Sequence, residues 1–272
     1  MLVTFATCWY ALTAKFPVAT YLQWMRHLLS EVNHYYLVLY TDTAGEQLLK
    51  DYFAAYLANP NIKIVIKPCE EWFNYKYKAQ WEKNHLKNKL LNNRTEWKLI
   101  MLWAEKTHFV NLARVNQYFP PTEFYGWCDI GYFRAGPCPN FASKIELNKN
   151  KIYYACVNPR QLSQLEPFVR QKNAQGLPST PIPPDQNTIA GGFFIAHHAK
   201  IEGWQKKFDE KLALYFQHDY LVKDDQIIIV DCVLSEPHRF QLICHPEPGE
   251  DREWFYFRSY LDRGCAPTTP LG

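Results

Sequence analysis

The residues of this chain best placed to do chemistry are carboxylates at the ends of apolar runs. Phe124-Tyr125-Gly126-Trp127-Cys128 stops at Asp129, which is followed by Ile130-Gly131. A buried strand ending in this way delivers an acid to the edge of a sheet, and in open α/β sheets the ligand crevice lies beyond the carboxyl ends of the strands. A carboxylate there can meet a nucleotide or a metal without being fully desolvated, and it can equally cap a turn before Gly131. A second acidic group, Asp224-Asp225-Gln226, heads the apolar run Ile227-Ile228-Ile229-Val230. Acids at that junction complement the positive end of a helix. Between these two groups, Gly191-Gly192 sits inside the apolar stretch 189–196, where glycines admit a ligand close to the backbone or serve a bulge or tight packing.

The elements that must hold these groups follow from hydrophobic periodicity. Residues 2–7 read as a buried strand. Residues 18–32 carry Val18, Tyr21, Leu22, Met25, Leu28 and Leu29 at helical spacing. Residues 35–42 form a second apolar strand ending in Asp42, residues 46–58 a helix, and residues 62–66 a third strand. Strand, helix, strand, helix, strand predicts βαβ units and a mostly parallel central sheet flanked by helices. Residues 97–117 form a long helix bearing Lys106 that leads into the Asp129 strand. Further on come strands over 152–157 and 189–196 and a helix over 201–217. The proline-rich stretch 177–184 reads as a surface loop near the site. Neither Gly-x-Gly-x-x-Gly nor Gly-x-x-x-x-Gly-Lys-Ser/Thr occurs, which argues against an ordinary dinucleotide-binding or P-loop protein.

Composition narrows the class. At 272 residues, 47% hydrophobic and 16% aromatic, the chain can bury a substantial core. A formal charge of +3 suits an anionic small molecule better than a nucleic acid. The eight cysteines are scattered, with neither Cys-x-x-Cys nor zinc-finger spacing, and read as reduced, mostly buried small side chains. Residues 1–7 lack the marks of a signal peptide, and no stretch reaches the roughly 20 apolar residues of a membrane span, so a cytoplasmic protein is expected. The segment 76–98 is basic and interleaved with Tyr77, Trp81 and Trp97. It reads as a solvated helix face with an apolar seam, or alternatively as a polyanion patch or a phosphate-facing lid. The chain shows no internal repeat or clean domain boundary, and its last eight residues look like a loose tail.

The order of these pieces resembles a GT-A type glycosyltransferase, and in particular the HtrL/YibB-like family of bacterial and large-virus proteins. Three blocks carry the resemblance. The first runs from Leu102-Trp103-Ala104-Glu105-Lys106 through Asn116-Gln117-Tyr118-Phe119-Pro120 to Trp127-Cys128-Asp129-Ile130-Gly131. The second is Ala190-Gly191-Gly192-Phe193-Phe194 with Trp204 downstream, and the third is Asp224-Asp225-Gln226. The resemblance implies a single GT-A-like domain over 1–272. Its nucleotide-binding half covers about 1–135, its acceptor-binding half about 136–264, and the tail follows. It also implies transfer of a sugar from a nucleotide-sugar donor, with UDP the expected nucleotide, to a hydroxyl of a glycan acceptor in the cytoplasm, which for a viral protein is the host's.

On that resemblance Thr7, Tyr10 and Asp42 surround the base and ribose, Lys106 and Asp129 face the diphosphate, and Gly191, Gly192 and Gln226 border the sugar and acceptor. Asp225, or its neighbour Asp224, is the base that takes the acceptor proton if the reaction inverts the anomeric carbon. If configuration is retained, the same acid orients the donor or stabilises an oxocarbenium-like state. The usual Asp-x-Asp is here Asp129-Ile130-Gly131 and lacks its second carboxylate. A Mn²⁺ or Mg²⁺ ion is still expected, on Asp129 with His245 as second ligand. The rival classes are a non-catalytic sugar- or nucleotide-binding protein on the same scaffold and a nucleic-acid-binding protein using the 76–98 face.

Overall fold

The strand–helix alternation is realised throughout the first third of the chain. Its elements are β1 (Val3–Trp9), α1 (Val18–Leu29), β2 (Tyr36–Thr41), α2 (Thr43–Leu57) and β3 (Ile62–Ile66). Then follow α3 (Lys78–Lys87), α4 (Trp97–Asn116), β4 (Phe124–Cys128), β5 (Ile152–Cys156), α5 (Pro159–Arg170), β6 (Phe193–His197) and α6 (His198–Gln217). The last are α7 (Asp225–Ser235), β7 (Phe240–Cys244) and a short α8 (Tyr256–Tyr260). This is a computed structural model that describes residues 1–247, 249 and 252–262. The expected tail over the last eight residues lies outside the described residues.

One seven-stranded sheet runs β3-β2-β1-β4-β6-β5-β7. All strands are parallel except β6, which runs against both β4 and β5. Two cores cover its faces. On one side Ala6, Cys8, Val38 and Trp127 pack with α4, α6 and α7; on the other Phe5, Leu37, Leu39 and Phe193 pack with α1 and α2. The alternation of β1 between these cores is the period-two signature of a strand buried on both faces.

Local chemistry sets the boundaries. Asp42 caps α2, its carboxylate accepting from the Gly45 N–H at 2.7 Å. α5, which periodicity did not reveal, begins where Asn158 accepts from the Gln161 N–H and Pro159 takes the first helical position. β1 continues past Thr7 because Cys8 and Trp9 still pair with Tyr40 and Thr41. β6 starts at Phe193 and not at 189, because the glycine pair lies before its ladder. The proline-rich loop is anchored by buried Leu177 and Ile182 in the α5–α7 core and does not line the cleft described below, contrary to the expectation that it flanks the site.

The basic segment becomes α3 with Trp81 as its buried seam. Four lysines of the segment are paired nearby: Lys76 with Asp209, Lys78 with Glu82, and both Lys83 and Lys87 with Asp219. Two asparagines on the same helix turn reach further. Asn84 exchanges hydrogen bonds with the Val222 backbone at 2.7 and 2.9 Å, and Asn88 donates to the Lys223 carbonyl at 2.9 Å. α3 is therefore a buttress for the segment that enters Asp224-Asp225.

Gly126, at the centre of β4, is required by close approach. A Cβ there would stand 2.3 Å from the Phe194 carbonyl oxygen and 3.0 Å from the Phe5 ring. Neither a ladder carbonyl nor a buried ring can move aside cheaply. Gly126→Ala is expected to lower stability by about 1–3 kcal/mol or more, read from a urea unfolding curve with unchanged slope. An unaltered midpoint would show that the β4–β6 spacing is looser than described.

Candidate active site

Strand order creates the site. β1 sends the chain to β2 on one side and lies against β4 on the other, so the β1 and β4 carboxyl ends flank a topological switch point. Trp9-Tyr10 leaves β1 there, and Asp129 leaves β4 there. Because β6 is antiparallel to β4, with Phe193 opposite Cys128, its entry residues Gly191-Gly192 come to the same edge. α4 lies across β1 and β4 and supplies Lys106 from below, while α7 begins at Asp225.

Four elements thereby meet at one ammonium. Lys106 Nζ lies 3.2 Å from Asp129 Oδ1, 3.1 Å from Asp225 Oδ2, and donates to the Gly191 carbonyl at 2.8 Å. Asp129 is oriented by the Trp127 indole N–H, which donates to Oδ1 at 2.5 Å, and by its own N–H, which donates to the Gly192 carbonyl at 2.9 Å. The two acids differ in surroundings: the Asp129 side chain is 41% exposed and that of Asp225 only 7%. Burial accordingly pushes the Asp225 carboxyl up to about 6, since desolvation outweighs the pull of Lys106 and is reinforced by the charges of Asp224 and Asp129. Burial works against the Lys106 charge too, but Asp129 and Asp225 together hold it above the usual lysine range. Asp225 is thus ionised at neutral pH beside a charged Lys106.

Asp224 pairs with Lys223 at 3.0 Å through Oδ2, and its buried Oδ1 has no hydrogen-bond partner. Gln226 spends its amide on the Ile189 carbonyl at 2.6 Å, holding the segment before the glycines. A Cβ on Gly191 would stand 2.8 Å from Asp225 Oδ2, and one on Gly192 3.2 Å from Asp129 Oδ2. The glycines therefore let the backbone touch both acids.

Above this floor lies an open cleft of about 370 Å³. Tyr10, Lys106, Asp129, Gly191, Gly192, Asp224, Asp225 and Gln226, all expected at the site, line it together. Three expected residues do not. Thr7 is fully buried in the middle of β1, two residues short of the strand's end, because the ladder runs on to Trp9. Asp42 is engaged as the α2 cap and lies outside the lining. His245 accepts the Glu247 N–H at Nδ1 and packs its ring on Tyr256, also outside the lining. Tyr10 faces the cleft, but its hydroxyl is committed, donating to the Lys67 carbonyl at 2.8 Å and accepting from Trp72 at 3.2 Å.

Sequence reasoning missed the walls. Trp9, Phe16, Tyr21, Trp24, Trp103, Trp254 and Phe255 make them largely aromatic, and Lys15 and Arg134 add two cations. Lys15 sits over the Trp103 ring at 4.8 Å, and burial lowers its pKa against the opposing pull of Asp224. The Arg134 guanidinium lies over Trp24 and Phe255 at 4.4 and 4.5 Å. Both cations were legible in principle. Lys15 occupies the loop after the first strand, and Arg134 stands three residues beyond Gly131. Glu105 was also missed: fully buried, it accepts from the N–H groups of Phe73 and Asn74 at 2.6 and 2.9 Å and from the Asn74 amide at 2.7 Å, tying the segment before α3 to α4. Its carboxyl is pushed up to about 7 by burial, opposed by these bonds.

The residues present do not assemble the divalent site expected on Asp129 and His245. His245 is elsewhere, and among the described residues no three His, Cys, Asp or Glu side chains cluster at ligand spacing. The position where two carboxylates and a carbonyl converge belongs to Lys106. A dication about 4 Å from that ammonium would be repelled by roughly 8 kcal/mol at an effective dielectric of 20.

No protein-family model matches the chain, and no curated protein matches it. Among solved structures it is similar to the crystal structure of mouse xyloside xylosyltransferase 1 in its apo form, at 12% identity and a TM-score of 0.41, over 88% of this chain and 85% of that one.

Removing the ammonium leaves two carboxylates without their counter-ion. Lys106→Met is expected to cost about 3–5 kcal/mol. Much of that loss should be recovered in Lys106→Met/Asp225→Asn, because the second change removes the more deeply buried charge. Urea unfolding of the four-member cycle measures the coupling, and simple additivity would mean that the pair does not interact.

Proposed function

We propose that the chain is a glycosyltransferase moving a sugar from a nucleotide-sugar, a UDP-sugar in the first instance, to a hydroxyl of a glycan acceptor. The observation that carries this reading is the position of the Asp225–Lys106–Asp129 cluster. It lies at the foot of an aromatic, cation-bearing cleft at the switch point of the sheet. Aromatic faces stack a base and the apolar faces of sugars. Lys15 and Arg134 suit a diphosphate. The acids beneath suit hydroxyl groups, which they accept from.

In this reading the acceptor oxygen bonds to the anomeric carbon as the bond from that carbon to the diphosphate breaks. The leaving electron pair stays on the diphosphate, where the wall cations meet it. The acceptor's proton passes to Asp225. A base raised toward neutrality is better matched to this task than an ordinary aspartate, because it is ionised at pH 7 yet holds a proton once it has one. Asp224, which also lines the cleft, would accept from a further hydroxyl of the incoming sugar. Gly191 and Gly192 leave room for the sugar against the backbone.

The pairing of Asp129 and Asp225 with Lys106 also suits a second reading, a sugar- or nucleotide-binding protein without turnover in which the cluster is purely structural. The nucleic-acid reading is weakened because Lys83 and Lys87 on α3 are paired with Asp219.

A thermal-shift panel of UDP-, GDP-, CMP- and TDP-conjugates tests the donor site, with UDP compounds expected to stabilise the protein by mass action. With a donor in hand, Asp225→Asn is expected to reduce transfer by about 10²–10⁴-fold with little loss of binding. In the parent, kcat/KM is expected to rise with pH through about 6 as Asp225 loses its proton and then level off, since protonation of the base below that point blocks it. Binding without any transfer, across a range of acceptors, would leave the non-catalytic reading in possession.

A further inference from the structure

We infer that Lys106 is a built-in cation that takes the place of a divalent metal at this site, so that ligand binding in the cleft is independent of Mn²⁺ and Mg²⁺. The inference rests on the proposed donor site only for what the cation helps to neutralise; its structural basis is independent of that reading.

Three oxygens from three different elements converge on Nζ: one from the end of β4, one from the start of α7 and one from the glycine segment before β6. Hard oxygen donors gathered from separate loops are what a divalent cation uses. Here they surround an ammonium delivered on the long helix α4, most of whose residues from Leu99 to Val110 are buried. The surrounding protein is built for that arrangement. Trp127 fixes Asp129 from the strand side at 2.5 Å, Gly191 lacks the Cβ that would displace Asp225, and Gln226 holds the Ile189 carbonyl at 2.6 Å just ahead of the glycines. Lys106 is only 6% exposed, so it is not a surface lysine that happened to fall near acids. It also explains why a single aspartate suffices in Asp129-Ile130-Gly131. A resident monocation, already satisfied by one carboxylate from each of two elements, needs no second acid in the motif.

The consequence is a latent metal site. If the ammonium is removed, its cavity and its three oxygens remain, with two carboxylates lacking a counter-charge. Lys106→Ala is therefore expected to acquire one saturable Mn²⁺ site per chain, seen as loss of the free Mn²⁺ electron paramagnetic resonance signal, and to be raised in melting temperature by Mn²⁺. Lys106→Ala/Asp129→Asn is expected to lose that site. The wild type, titrated with and without UDP, is expected to show no Mn²⁺ site that depends on Asp129, and any stabilisation by UDP should be the same in EDTA as in Mn²⁺. A wild-type Mn²⁺ site abolished by Asp129→Asn overturns the inference, as does a folded Lys106→Ala that binds no Mn²⁺. The wild-type arm decides by itself should the variant not fold. Failure of UDP to stabilise the wild type at all counts against the donor reading and leaves the Mn²⁺ comparison intact.

Discussion

A single buried ammonium organises this molecule. Lys106 lies at the crossing of α4 with β1 and β4, and its three oxygen partners come from the end of β4, the start of α7 and the glycine segment before β6. An uncompensated charge in such a place costs several kcal/mol, so the acids, the glycine pair and the helix must all be in position together or the arrangement is unfavourable. The same requirement that holds the fold in register therefore also gathers the groups that face the cleft.

Around that point the remaining polar contacts act as supports. Glu105, the neighbour of Lys106, points away from the cleft and secures the segment before α3. α3 in turn holds Val222 and Lys223 through Asn84 and Asn88. The two adjacent charges on α4 thus act on the acid pair from opposite directions, one directly and one through a helix that the sequence presents as a basic surface. A separate buried group, Asp231 with Lys172, Lys211, Tyr215 and Ser235, ties α7 to α6 and to the segment after α5, so that the helix carrying Asp225 is held along its length.

Much of this was legible in the sequence. The parallel βαβ layout, the strand ending at Asp129, the helix bearing Lys106 and the helix beginning at Asp225 are local patterns, set by hydrophobic period and by acids at element ends. Eight of the residues expected at the site do line one cleft. Thr7 falls outside the cleft lining because pairing with β2, a tertiary fact, lengthens β1. Asp42 and His245 also fall outside it, because polar residues at element ends are as readily spent on caps and turns as on ligands. α5 escaped notice because Pro167 interrupts its pattern, and β7 because it is only five residues long. Lys15, Arg134 and Trp254 lie in loops, where periodicity says nothing, while Trp9, Trp24 and Trp103 sit on β1, α1 and α4 and only the strand order reveals that all of these share an edge.

The strand order also carries a consequence for how the protein is made. β6 lies between β4 and β5, although β5 is synthesised first, and no β4–β5 ladder exists to hold the place. The outer edge of β4 stays unpaired until β6 emerges, and Lys106 is without Asp225 for longer still. In the order of synthesis Lys106 therefore meets Asp129 first, the Gly191 carbonyl next and Asp225 last.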